Sequence, residues 1–246
     1  MFRLLSWHLA CAKYMIEYNH NIKLGGVKMA KLATKTIKMI VNEEGKPVKG
    51  VVICRDEFPL NPREEFDNLG TMVCWHNKYL LGDEHHYTNP RHFLQHTLVS
   101  YEGLSDDEAE NMDIIDMISY LEQHNYVFLP LYLHDHGGLA MNTEGFTCSW
   151  DSGQVGWIYV APEDIKKEYG NITKETLKKA EESLINEVII YNMYLQGYVW
   201  GFECINENGE VVDSCYGYFG TTLEESGILD DIPEDFQNCP IVISQE

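Results

Sequence analysis

Two long stretches of this chain contain neither lysine nor arginine: residues 92–165, which carry 13 carboxylates, and residues 180–246, which carry 14. No helix or strand formed wholly within them can pair its acids with a local base at helical or cross-strand spacing. Each acid must therefore face solvent, cap a helix, or meet a base brought in from elsewhere. The bases between the two stretches are Lys166, Lys167, Lys174, Lys178 and Lys179. A formal net charge of −21 in 246 residues would suit a disordered acidic tail, but 44% of the residues are hydrophobic and 12% aromatic. That payload, threaded through the acidic regions themselves, is ample for a packed core. The charge therefore sits on a folded body, and it repels bare nucleic acid and anionic membranes as direct partners.

No apolar run approaches the roughly 18 residues of a membrane span. The seven cysteines form an odd set without a C-x-x-C pair, which fits neither a disulfide scaffold nor a zinc ribbon and points to a reducing, cytoplasmic setting.

Residues 1–28 differ in composition, with four bases and one acid. Leu24-Gly25-Gly26-Val27-Lys28-Met29 can be encoded by a purine-rich, ribosome-binding sequence ahead of a start codon. Met29-Ala30-Lys31 then reads as the natural start, and residues 1–28 as a mis-start extension or disordered segment; the alternatives are an ordinary Gly-Gly linker and a poor signal peptide. Residues 29–246 read as a single acidic domain.

Residues 36–42 and 48–54 form a hairpin pattern around Glu43-Glu44-Gly45-Lys46-Pro47, and residues 71–76 a further short strand. Pro90 opens a helix running to Ser100. Ser105-Asp106-Asp107-Glu108 is a capping box, and the helix it starts sets Met112, Ile115, Ile118 and Leu121 against an anionic opposite face. Residues 126–134 and 156–160 read as buried strands, separated by a loop of about 20 residues, a length usually tied to function or disorder. Helices follow over residues 163–169 and 174–195, then a hairpin across Asn206-Glu207-Asn208-Gly209-Glu210. The order predicts an α+β fold with a mainly antiparallel sheet, hairpins and two to four packed helices.

Two sets of residues carry candidate chemistry. Cys74 and His76, spaced to share a strand face, join His85-His86 and the pair His134 and His136 as zinc-type ligands, against a reading of scattered surface histidines. Asp135-His136, Cys148, Asp151 and Gln154 offer the parts of a cysteine hydrolase: a thiol, an imidazole oriented by a carboxylate, and an amide for an oxyanion. The competing reading is an inert cysteine beside a tight turn. Because the long loop must fold back over two strand ends, Asp135, His136, Cys148 and Asp151 are expected to border one surface. No cofactor is named by the sequence.

A third set is acidic. Asp106, Asp107, Glu110 and Asp113 fall in the first turns of one expected helix, either as a solvated face or as an imitation of a phosphate backbone that occupies a protein's basic groove.

Leu69-Gly70-Thr71-Met72-Val73-Cys74-Trp75-His76, Leu129-Pro130-Leu131-Tyr132, Asp135-His136, Trp150-Asp151-Ser152-Gly153-Gln154-Val155-Gly156 and Asp213-Ser214-Cys215-Tyr216-Gly217 resemble a bacteriophage and mobile-element family without an assigned activity. The WDSGQVG run is the most specific of these motifs. Where this chain has His134, that family commonly has tyrosine, whereas Asp135-His136 matches. The resemblance implies a phage or mobile-element setting, which together with the cysteine usage points to a bacterial cytoplasm. The leading expectation is an accessory protein acting by binding, a nucleic-acid mimic that blocks a host defence or nucleic-acid-binding protein through a basic surface. The alternative is a small Cys/His or metal-dependent hydrolase.

Overall fold

A computed structural model describes residues 28–30, 39–148 and 150–244. The mis-start expectation, Lys28 apart, lies outside the described residues. The span read as one domain comprises two compact units: one of the residues up to Arg55 with Trp200–Tyr216 and Ile228 onward, the other of Asp56–Val199 with Gly217–Gly227.

The described part of the first unit is mostly sheet. Strands β1 (Lys28–Ala30), β2 (Met39–Val41) and β3 (Pro47–Val48) form a small antiparallel sheet. Asn42 closes the β2–β3 turn by accepting the Glu44 and Lys46 amides at 3.1 and 3.0 Å. The expected strand over residues 48–54 is interrupted at Lys49 and resumes at Gly50, where a Cβ would lie 2.7 Å from the Pro240 carbonyl. From there β4 (Gly50–Arg55) pairs antiparallel with β9 (Val199–Ile205) and parallel with β11 (Ile241–Ile243), while β10 (Val211–Phe219) flanks β9. Ile40, Val52 and Ile205 pack together in its core. The hairpin after β9 is as expected, with Asn206 accepting the Asn208 and Glu210 amides at 3.0 Å.

The second unit is built on an antiparallel sheet, ordered β5 (Thr71–Cys74), β8 (Ser152–Val160), β6 (Val127–Asp135), β7 (Leu139–Asn142). Alternate residues feed two cores, which is why these strands read as continuous apolar runs. Met72, Leu131, Leu133, Ile158 and Val160 pack with α5 (Pro162–Tyr169) and α6 (Lys174–Leu195), through Ile165, Leu184, Val188 and Tyr191. Val73, Phe128 and Trp157 pack with α2 (Pro90–Ser100), α3 (Asp106–Glu110) and α4 (Ile114–Gln123), through Phe93, Leu98, Ala109, Met117 and Leu121. Single turns α1 (Pro62–Glu65) and α7 (Leu223–Ser226) complete the unit. The fold is α+β with antiparallel pairing dominant.

Arg63, 2% exposed at its side chain, ties loops of this unit to α6. Its Nε and one terminal nitrogen hold Asp83 at 2.8 and 2.7 Å, and the other terminal nitrogen holds Glu187 at 2.8 Å. It also donates to the Gly70 carbonyl at 2.7 Å. The carboxylates use their remaining lone pairs on backbone amides: Glu187 accepts Leu69 and Gly70, and Asp83 accepts Met72. Burial pulls the Arg63 pKa down, but the two carboxylates more than offset it and the net shift is upward. Among the described residues no helix is long and apolar enough to cross a membrane.

Candidate active site

The expected 20-residue loop is a hairpin and a shorter loop. Strand β6 runs on to Asp135, turns through Gly137 with φ of +72°, and returns as β7. The WDSGQVG run is likewise not a turn before a strand, because Ser152–Gly156 already belongs to β8 and pairs with the end of β6. A bulge shifts the register there: Leu131 faces Gly156 and Tyr132 faces Gln154, leaving Val155 between them. Gly156 is required by packing, since a Cβ on it would sit 1.9 Å from the Val73 carbonyl.

This geometry brings four of the five candidate catalytic residues to one corner. The Asp135 amide donates to the Asp151 carbonyl at 2.8 Å, which fixes one strand end against the other. His136 Nδ1 lies 3.2 Å from Asp151 Oδ2, and Cys148 Sγ lies 3.9 Å from the same oxygen. The Ser152 hydroxyl donates to the Cys148 carbonyl and closes the loop. A shallow groove of about 450 Å³ opens beside them, lined by Trp75, His76, Asp135, Trp150, Asp151 and Gln154 among others. Trp150 stands at its rim with its side chain almost fully in solvent.

The structure divides the roles that the sequence left open. Of the two candidate carboxylates, Asp151 meets His136, while Asp135 faces Lys78 Nζ at 3.4 Å and the Tyr79 hydroxyl at 3.3 Å. An Nδ1–H donated to Asp151 leaves Nε2 as the basic nitrogen of His136. Cys148 hydrogen-bonds to Asp151 and not to the imidazole. Gln154 commits an amide hydrogen to the Gly156 carbonyl at 3.2 Å, so as it stands it is a strand-end brace rather than an oxyanion donor. Lys78 and Tyr79 were not legible as site residues, because nothing in sequence links them to an acid more than 50 residues away.

The other proposed ligands do not converge. Strand β5 ends at Cys74, so Cys74 and His76 share no strand face. Cys74 is buried in the core, and that burial pushes its thiol up to about 12. His76 stacks on Tyr79 at 5.1 Å and accepts the Lys78 and Tyr79 amides at Nδ1. His85 uses Nε2 on the Cys74 carbonyl at 2.9 Å, and His86 packs on Tyr87. By contrast, ligand atoms of His134, Cys148 and Asp151 lie within 4.8 Å of one another.

The acidic helix is two helices. The capping box forms as expected, Ser105 and Glu108 bonding reciprocally, and those bonds lower the Glu108 pKa. Helix α3 ends at Glu110, and Asp113 caps α4 by accepting the Asp116 amide at 2.8 Å. Asp113 is thus set apart from the face carrying Asp106, Asp107 and Glu110. A base from outside the stretch closes the break, Arg91 of α2, which donates to the carbonyls of Glu110 and Met112 at 2.6 and 2.8 Å. The four side chains Asp106, Asp107, Glu110 and Asp113 are exposed.

No family model, curated protein or solved structure matches the chain. A functional reading therefore draws on the geometry of the corner itself.

Proposed function

We propose that the protein is a small hydrolase whose centre is His136, Asp151 and Cys148 beside the Trp75–Trp150 groove. The observation that carries this reading is the single oxygen, Asp151 Oδ2, that meets both the imidazole and the thiol. Asp151 orients His136 through Nδ1, which leaves Nε2 to take a proton. With Nε2 swung towards the exposed Cys148 loop, the thiol loses its proton to the imidazole and its sulfur attacks an acyl carbon. The new C–S bond forms as the C–O or C–N bond breaks, and the leaving group takes the proton from His136. Water, deprotonated by the same nitrogen, then attacks the thioester carbon; the C–S bond breaks, the sulfur takes the proton back from His136, and the acid is released. The test is turnover of a panel of p-nitrophenyl esters and peptidyl amides. His136→Ala should lose about 100-fold or more in rate, and Cys148→Ala should fall to background. Equal rates in wild type and both variants, or no turnover across the panel, would reject the reading.

A second reading is favoured by the exposed acids of α3, for which no side-chain ion pair exists among the described residues. In it, Asp106, Asp107 and Glu110 dock against a basic surface of a host protein in a phage setting, as a nucleic-acid mimic. Capture from bacterial lysate by wild type, released by salt and lost on neutralising these three residues, supports it. Equal capture by the neutral variant removes it.

A further inference from the structure

The same corner holds a second chemistry that the hydrolase reading does not use. His134 is the last-but-one residue of β6, His136 follows in the turn, and the two rings are 6.3 Å apart. Its ring also packs 5.4 Å from Phe146, in the loop that leads to Cys148. The result is one imidazole nitrogen, one sulfur and one carboxylate oxygen, on His134, Cys148 and Asp151, all within 4.8 Å of one another.

We infer that this corner binds one divalent ion of the zinc class through His134, Cys148 and Asp151. The donor set selects the metal: sulfur and imidazole favour zinc and its neighbours over calcium and magnesium, which take oxygen. Metal–ligand bonds of roughly 2.0–2.3 Å place tetrahedral ligand atoms about 3.3–3.8 Å apart, so the three need to close by about an ångström. Cys148 and Asp151 sit on a loop entering a strand, where such a movement disturbs no core contact. Three protein ligands leave the fourth position to water. His136, donating to Asp151 Oδ2 at 3.2 Å, supplies the outer-shell hydrogen bond that holds a ligating carboxylate in place. Binding converts the Cys148 thiol to thiolate and releases one proton to solvent. One consequence rests on the hydrolase reading: an ion on Cys148 masks the nucleophile, and zinc becomes an inhibitor of turnover.

The test is titration of the metal-free full chain with Co²⁺, followed by competition with Zn²⁺. One equivalent of Co²⁺ should produce tetrahedral visible bands and a thiolate-to-metal band in the near ultraviolet. Cys148→Ala should abolish the thiolate band, His134→Ala should weaken binding, and His136→Ala should weaken it by about 10–100-fold. Absence of a thiolate band in wild type, or a band indifferent to His134→Ala, overturns the inference. The two claims separate cleanly. A protein that shows the band but hydrolyses nothing keeps the metal site and loses the hydrolase, whereas turnover without a band does the reverse.

Discussion

Replacing Arg63 by methionine removes the cation that holds Asp83 and Glu187 inside the second unit. The side chains keep a similar volume, so the effect is electrostatic. Arg63 is 2% exposed, and the carboxylates it leaves behind are 22% and 12% exposed. Four donated bonds of 2.7–2.8 Å vanish, and two charges remain without compensation. Breaking a buried pair in this way costs about 3–5 kcal/mol, roughly a fifth or more of the stability of an ordinary domain. With a urea m-value of roughly 2 kcal/mol/M, the unfolding midpoint should fall by about 1.5–2.5 M. Trp157, buried in the same unit, reports the transition by fluorescence. Adding Asp83→Asn and Glu187→Gln should recover more than half of the loss, because each amide keeps an oxygen for the backbone donors at Met72, Leu69 and Gly70. A midpoint shift under about 0.5 M for Arg63→Met, or a triple variant no better than the single, would refute the electrostatic account.

Other outcomes follow from the same structure. Iodoacetamide at pH 8 should modify exposed Cys148 in the native protein and spare Cys74 and Cys204, whose buried thiols are pushed up to about 12 and about 11; comparable labelling of Cys74 would contradict the packing. Gly156→Ala should destabilise by about 1–3 kcal/mol through its clash with Val73, whereas Gly153→Ala, with open space around it, should cost little; equal melting temperatures would contradict the close packing of β5 on β8 at Gly156. Asp56 has its pKa raised, chiefly by burial and against the amides of Phe58 and Gly217. Its stabilising contribution is therefore present below its unfolded value near 3.8 and is lost as pH rises through the folded value. Asp56→Asn should match wild type near pH 3 and gain, by less than about 1 kcal/mol, towards pH 7; a gain that grows on acidification would reverse the sign and reject the assignment.

The elements read most readily from sequence were those with local signals. Helix α6 has its periodicity, α2 has Pro90, and the two hairpin turns have Asn42 and Asn206, so each was placed nearly to the residue. The acidic helix misled because its pattern hid a break. Asp113 looks like one more acid on a face, yet it is a cap, and the base that closes the gap is Arg91 from the preceding helix. Strand β8 began earlier than its composition suggests, since Ser152, Gly153 and Gln154 are poor strand formers held only by pairing with β6. At the candidate site, the two clustered segments were legible because they flank strand ends. Which carboxylate meets His136 was not, and neither was the Arg63 network, whose partners stand 20 and 124 positions away.

The central claim is that Cys148 and His136 act on one acyl group. Intact-protein mass spectrometry, after brief exposure to a p-nitrophenyl ester and acid quench, reads this directly. A single acyl adduct mapping to Cys148, formed far more slowly in His136→Ala, is the expected result. An unmodified Cys148, or acylation at the same rate without the imidazole, would contradict it.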